Sequence, residues 1–245
     1  MDRMLYVAMT GAKETLRAQT VNNHNLANVS TTGFRADLAA FQSRAVDGTG
    51  FASRVYATNA SVGWDDTSGA LLTTGRDLDV AIHGPGWIAV QAADGREAYT
   101  RAGNLQVDPT GQLKTATGQP VMGDGGPINV PPYTSIFFAR DGSISIVAQG
   151  QTPDTTSTVG RIKLVNPPEA DIERGDDGLF RMKDRSDAPP DAAVQISSGM
   201  LESSNVNTAE AMVNMIELAR QFEMQVKAIR TAEENGQAAS QLLRV

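Results

Sequence analysis

Few of the side chains that usually perform chemistry occur in this 245-residue chain, and those few are scattered. Cysteine is absent, which removes thiolate nucleophiles, thiolate metal sites and disulfides together. The two histidines, His24 and His83, lie far apart, and neither has a second donor at metal-ligand spacing. Asp65-Asp66 and Asp176-Asp177 are adjacent carboxylates, a type of pair in which one pKa can rise to serve general acid work. Each pair stands in a polar, glycine-containing stretch, where solvated turn acids are the simpler reading. Arg174-Gly175-Asp176 spells an adhesion tripeptide, which in a polar turn reads as chance. Neither a glycine-rich phosphate loop with lysine nor a Gly-x-Ser-x-Gly elbow occurs. Met212, Met215, Phe222 and Met224 could line a cofactor pocket, but at helical spacing such a stripe reads as packing, and Met suits contacts that adapt to non-identical neighbours. The expectation is a non-enzyme with no catalytic, cofactor or metal site.

The elements that would position these residues divide sharply along the chain. All 11 prolines fall between Pro85 and Pro190, and 21 of 23 glycines between Gly33 and Gly199. Both residues break helices and build turns, so the chain has helical ends around a turn-rich middle. The two ends are neutral in sum, and the net charge of -7 sits on the middle, which disfavours nucleic acid as a partner. The apolar run Met4 to Met9 is too short for a secretory or membrane-spanning segment.

Leu5, Met9, Ala12, Leu16 and Leu26, with Gln19 and Asn23 between, follow a four-three rhythm. Met212, Met215, Ala219, Phe222, Val226 and Ile229 repeat it at the other end, with Ile216 widening the stripe. That spacing is the seam of a coiled-coil-like helix pair. Asn207 followed by Glu210 predicts a helix start near residue 208. In the middle, runs such as Leu78–Ile82, Trp87–Gln91, Ile136–Ala139, Ser143–Val147, Arg161–Val165 and Leu179–Met182 alternate with Asp-Gly and Gly-Pro turns. They predict an antiparallel sandwich or barrel-like domain. The fold class is therefore α+β: terminal helices paired in a coiled-coil-like domain, with a mainly antiparallel β central domain. The expected boundaries are a helix over 1–30, an extended connector over 31–75, a β-rich region over 76–198 and a C-terminal helix over 199–245.

Periodicity alone fits helices buried in their own domain's core. The seam itself is poor in large side chains, however. Burying four of them does not offset the backbone entropy of ordering some two dozen residues, so the N-terminal helix needs a partner surface. The opposite terminus is the nearest one, and neighbouring copies supply more, in head-to-tail contacts that close into rings or run on as filaments.

Particular residues sharpen this. Asn25-Leu26-Ala27-Asn28-Val29-Ser30-Thr31-Thr32-Gly33-Phe34-Arg35 resembles the N-terminal signature of the flagellar rod, hook and hook-associated family. Leu201-Glu202-Ser203-Ser204-Asn205-Val206-Asn207, continuing through Arg220-Gln221-Phe222-Glu223, resembles the C-terminal one. Gly75-Arg76-Asp77-Leu78-Asp79-Val80-Ala81-Ile82 and Ala98-Tyr99-Thr100-Arg101-Ala102-Gly103 supply matching middle blocks. The opening Met1-Asp2-Arg3 and Gly86-Trp87 are most similar to the proximal rod branch, with the distal rod and hook branches as alternatives. His24 and Asn104-Leu105 depart from the family pattern.

The resemblance implies a structural subunit of the basal-body rod in the periplasmic space. It implies export by the flagellar type III apparatus without a cleaved signal, and assembly with copies of itself and other axial proteins. No cofactor, nucleic acid or direct membrane insertion is implied; a secreted β-domain binding module is the alternative from another class. The residues expected at the assembly interface are Leu5, Met9, Leu16, Leu26, Asn28, Thr32, Gly33, Phe34, Asn205, Asn207, Met212, Met215, Ile216, Phe222, Val226 and Ile229. Asn28, Thr32 and Gly33 also fit a shaped helix exit, because Asn and Gly tolerate left-handed backbone.

Overall fold

The computed structural model describes residues 3–45, 55–152 and 155–242. The chain forms two compact units, a helical one (1–29, 35–66 and 206–245) and a β-rich one (30–34 and 67–205).

In the helical unit, α1 (Arg3–Ala27) and α2 (Thr208–Leu242) pack together. The Asn22 side-chain amide donates to the Ala211 carbonyl at 2.8 Å, and a Cβ on Gly11 would lie 2.9 Å from Gln225 Cδ. The helices therefore run antiparallel and close together. Ala8, Ala12, Glu14, Thr15 and Ala18 are buried on α1, Glu14 with Arg17 Nη1 at 3.1 Å, and Ala211 and Ala232 are buried on α2. Small side chains permit this approach, and they set which way each helix faces. The helix start read from sequence has its cap: Asn207 Oδ1 accepts the Ala209 N–H at 3.1 Å and lies 3.4 Å from that of Glu210.

Of residues 31–75, expected as an extended connector, 46–54 lie outside the described residues, and the described part is paired rather than a bare connector. It contains β1 (Asp37–Ala45) paired antiparallel with β2 (Val55–Trp64), with a register shift between Leu38 and Ala39. Leu38 and Phe41 are exposed on this ribbon, so its pairing satisfies backbone groups without burying an alternating apolar face. That alternation is the signal a sequence reading needs, and here it is missing.

The β-unit is antiparallel in every strand pair described. The strands β3 (Leu71–Thr73), β4 (Val80–His83), β5 (Trp87–Gln91) and β6 (Glu97–Thr100) come first in the chain. Its largest sheet orders Leu164–Val165, β5, β6, Phe180–Met182 and Ile172–Arg174 side by side. A three-stranded sheet joins Tyr133–Phe138, Ser143–Ala148 and Thr156–Arg161. Smaller pairs put β4 against Gln195–Ser198 and β3 against Met200–Glu202. Val80, Ile88, Val90, Leu105, Leu113, Ile144, Ile146 and Ile196 fill one apolar core between the sheets. Residues 199–205, expected with the C-terminal helix, belong to this unit because Leu201 pairs with Leu72.

Candidate assembly interface

The outer surface of the helical unit carries large apolar side chains. On α1, Met9 is 53% exposed and Leu16 47%; on α2, Met212 is 49% and Ile216 54% exposed. Tyr6, Val213 and Met224 are exposed beside them. Leu5 and Leu26 are half-buried, as are Met215, Phe222, Val226 and Ile229. The expected seam thus splits in two. Its α2 residues Met215, Phe222, Val226 and Ile229 line the inner side, whereas Met9, Leu16, Met212 and Ile216 turn to solvent. Close helix approach favours alanine over leucine or methionine at the contact, so Ala12 of the predicted stripe is buried while its neighbours Met9 and Leu16 are exposed.

The polar motif residues make contacts within the chain. Asn28 Nδ2 donates to the His24 carbonyl at 2.9 Å, closing the last turn of α1. Asn25 holds the main chain of Asp37 from both sides, donating to its carbonyl at 2.9 Å and accepting its N–H at 2.8 Å. His24 Nδ1 lies 2.7 Å from Asp37 Oδ2, so the departure from the family pattern has a carboxylate partner on β1.

Within the β-unit, the remaining motif blocks meet at Glu202. This carboxylate is 1% exposed. Its Oε1 accepts the Gly69 N–H at 3.0 Å, and its Oε2 lies 3.1 Å from Arg101 Nη1. The Glu202 carbonyl accepts the Gly33 N–H at 2.8 Å. Gly33 has φ +68°, and a Cβ there would fall 2.3 Å from the Arg101 carbonyl carbon, so both conformation and space demand glycine. Arg101 also donates to the Gly84 carbonyl at 2.9 Å and lies 5.3 Å from the Trp87 ring centroid. Asn205 donates its N–H to the Phe34 carbonyl at 3.3 Å and its side-chain amide to the Thr67 carbonyl at 3.0 Å. Thr32 is half-buried, and the Thr31 carbonyl accepts the Phe34 N–H at 3.3 Å.

Gly33 and Phe34, expected on an assembly surface, are buried inside this junction. Three residues of the junction were not singled out from sequence. Glu202 and Arg101 stood in family-like blocks as opposite charges, a signal that could have paired them. Arg174 was set aside with its tripeptide, yet its guanidinium lies 4.4 Å from the Phe34 ring centroid. Of the paired carboxylates, Asp177 is bound by Arg181, whose hydrogen bonds hold the carboxyl below the usual range. That is the reverse of the raised pKa a general acid needs.

The motif blocks that meet at Glu202 are also where known proteins align. Residues 197–242 match the family described as "Flagellar basal body rod FlgEFG protein C-terminal", and residues 81–151 match "Flagellar hook protein FlgE/F/G D1 domain". The sequence is 49% identical to the flagellar basal-body rod protein FlgF of Salmonella typhimurium, over 99% of each chain. The FlgF protein of Escherichia coli is 46% identical over the same shares. This chain belongs to the flagellar basal-body rod protein family. Within that family it sides with the F type, since FlgG of Buchnera aphidicola is 34% identical over 97% of this chain and 98% of the relative. The two family matches divide the Glu202 junction between them, Arg101 in one and Glu202 in the other. Among the described residues, no helix is long and apolar enough to cross a membrane.

Proposed function

We propose that this chain is a structural subunit of the flagellar basal-body rod, polymerising through its terminal helices into the hollow axial shaft that transmits torque. The observation that carries the reading is the outward apolar set Met9, Leu16, Met212 and Ile216. A helix pair held by alanines leaves these side chains in water. Each is about half exposed, so covering the remainder recovers roughly 0.7–1.5 kcal/mol, which a neighbouring copy can do. Contacts of this kind repeat from subunit to subunit and are not self-limiting unless the ring closes. The inner residues Met215, Phe222, Val226 and Ile229 then wind the helices as a coiled coil within the assembly.

The partners in this reading are copies of the chain and other axial rod proteins, with the flagellar type III apparatus delivering the subunit. Its place is the proximal rod in the periplasmic span, a reading supported by 49% identity to the FlgF of Salmonella typhimurium against 34% to a FlgG of Buchnera aphidicola. The side chains offer structural contacts instead of a reaction centre.

Complementation tests this. In a Salmonella strain lacking its own FlgF, the chain is expected to restore swimming. Leu16→Asp and Ile216→Asp are expected to abolish it while the purified variants keep the parent's circular dichroism. Swimming at the parental rate with both charged variants would defeat the reading.

A further inference from the structure

The junction around Glu202 continues as a stacked array across the β-unit. Arg101 lies over Trp87 at 5.3 Å, and Trp87 packs on Phe180 with ring centroids 4.3 Å apart at 42°. Arg174 sits 5.8 Å from the Phe180 centroid and 4.4 Å from that of Phe34. Cation and ring thus follow one another in series from Glu202 through Arg101, Trp87, Phe180 and Arg174 to Phe34. The two ends of this series belong to the segments that enter and leave the unit, 30–34 and 199–205.

Three chain passages meet there: the 199–205 segment holds Gly33 by the Glu202 carbonyl and Phe34 by the Asn205 N–H, and holds Gly69 by the Glu202 carboxylate. Core residues such as Ile144, Ile146 and Leu113 take no part in it.

We propose that Glu202 and this stack form a clasp that closes the β-unit around its entering and leaving segments, and that it opens as one cooperative piece without melting the core. Part of the warrant is electrostatic. Arg101 and Glu202 are both shielded from water, so each charge is costly without the other, and the pair is either fully made or lost together. The rest is geometric. Segment 30–34 belongs to no strand, and Gly33 and Phe34 tie it to Glu202, Asn205 and Arg174. The Arg174 guanidinium, half of the supposed adhesion tripeptide's charge, is the side chain that holds Phe34 down. Being closed by Met200–Glu202, the unit is complete only when that late segment of the chain has arrived. The inference goes beyond the rod reading and stands whether or not the protein polymerises.

Hydrogen–deuterium exchange on the full chain, read by mass spectrometry, separates a clasp from ordinary stability. Peptides covering 30–34, 67–70 and 199–205 report the clasp, and those covering 111–115 and 143–148 report the core. Glu202→Gln removes the charge but keeps the shape; Arg174→Met removes the cation over Phe34 but keeps the alkyl stem. Glu202→Gln is expected to speed exchange of the clasp peptides by roughly tenfold or more, with the core peptides unchanged. Arg174→Met is expected to speed the 30–34 peptide by roughly two- to fivefold, and Arg174→Lys to return it toward the parent. Equal acceleration of clasp and core peptides, or no acceleration in either variant, would overturn the proposal.

Discussion

The helical and β-rich units handle large apolar side chains in opposite ways. In the β-unit, Ile88, Ile144, Leu105 and Leu113 are fully enclosed, and the buried charges Arg101 and Glu202 are paired. On the two helices of the other unit the enclosed positions are mostly alanines, with Glu14 and Thr15, while Met9, Leu16, Met212 and Ile216 face water. The β-unit accordingly has the interior of a finished domain, whose stability is set by its own packing. The helical unit has helix propensity, a narrow contact and an unspent apolar surface. Secondary structure can be complete where burial is not, and only burial tells the two conditions apart.

Substitutions can break or sharpen this contrast. The largest effect is expected for Arg101→Met, which leaves the Glu202 carboxylate enclosed without a cation. The clasp segments 30–34 and 199–205 should lose about 3–5 kcal/mol of protection, read from their hydrogen exchange, while the core segment 143–148 keeps its own. A loss under about 1 kcal/mol would mean water reaches that pair. Next comes a matched comparison of two isoleucines. Ile144→Ala is expected to cost about 2–5 kcal/mol through the cavity it opens. Ile216→Ala should change monomer stability by less than about 0.5 kcal/mol. Equal costs would erase the distinction between the units.

Within the helical unit the same logic reverses the usual rule of size. Ala12→Leu should destabilise the helix pair by about 1–3 kcal/mol through overpacking, and thermal melting followed at the helical dichroism band would show it. Leu16→Ala should leave that melt unmoved, since it shortens an outward side chain. A stabilising Ala12→Leu would show that the helices sit farther apart than described. The smallest effect is expected from pH. Arg181 beside Asp177, and the Ser143 hydroxyl and N–H beside Asp141, hold these carboxyls below their usual range. A carboxylate whose folded pKa is depressed adds stability that is present above its unfolded pKa and lost as pH falls through the folded one. Stability of the β-unit should therefore be flat on this account near neutrality and decline below about pH 4. Asp177→Asn and Asp141→Asn together should shallow that decline, as measured by urea midpoints across the acid range.

Much of the fold was legible because local chemistry left a mark. Trp87–Gln91 is a strand with the bounds read from sequence, and Ser143–Val147 differs from its strand by one residue. Asp141-Gly142 turns the chain at φ +87°, as that pair predicts. Asn207 caps α2 one residue before it begins. The β1–β2 ribbon escaped because its pairing is carried by backbone, with Leu38 and Phe41 left outside and nothing alternating to see. The strand Met200–Glu202 escaped because three residues are too few for a period, and its partner β3 lies well over a hundred positions earlier.

The candidate interface was legible in kind but not in orientation. Periodicity named the two helices that α1 and α2 became, because a four-three repeat follows from helix geometry alone. It left open which side of each helix turns inward. That was decided when Ala8, Ala12, Thr15 and Ala18 proved able to approach α2 more closely than Met9 and Leu16 could. In the same way the sequence supplied Gly33, Phe34, Arg101 and Glu202 as separate motif residues, and tertiary structure alone made them neighbours. Identity, turn chemistry and helix period are properties of short stretches and are written there. The facing of a surface, and the meeting of charges a hundred residues apart, come from packing the whole chain, where the closest fit and the cost of an unpaired buried charge select one arrangement.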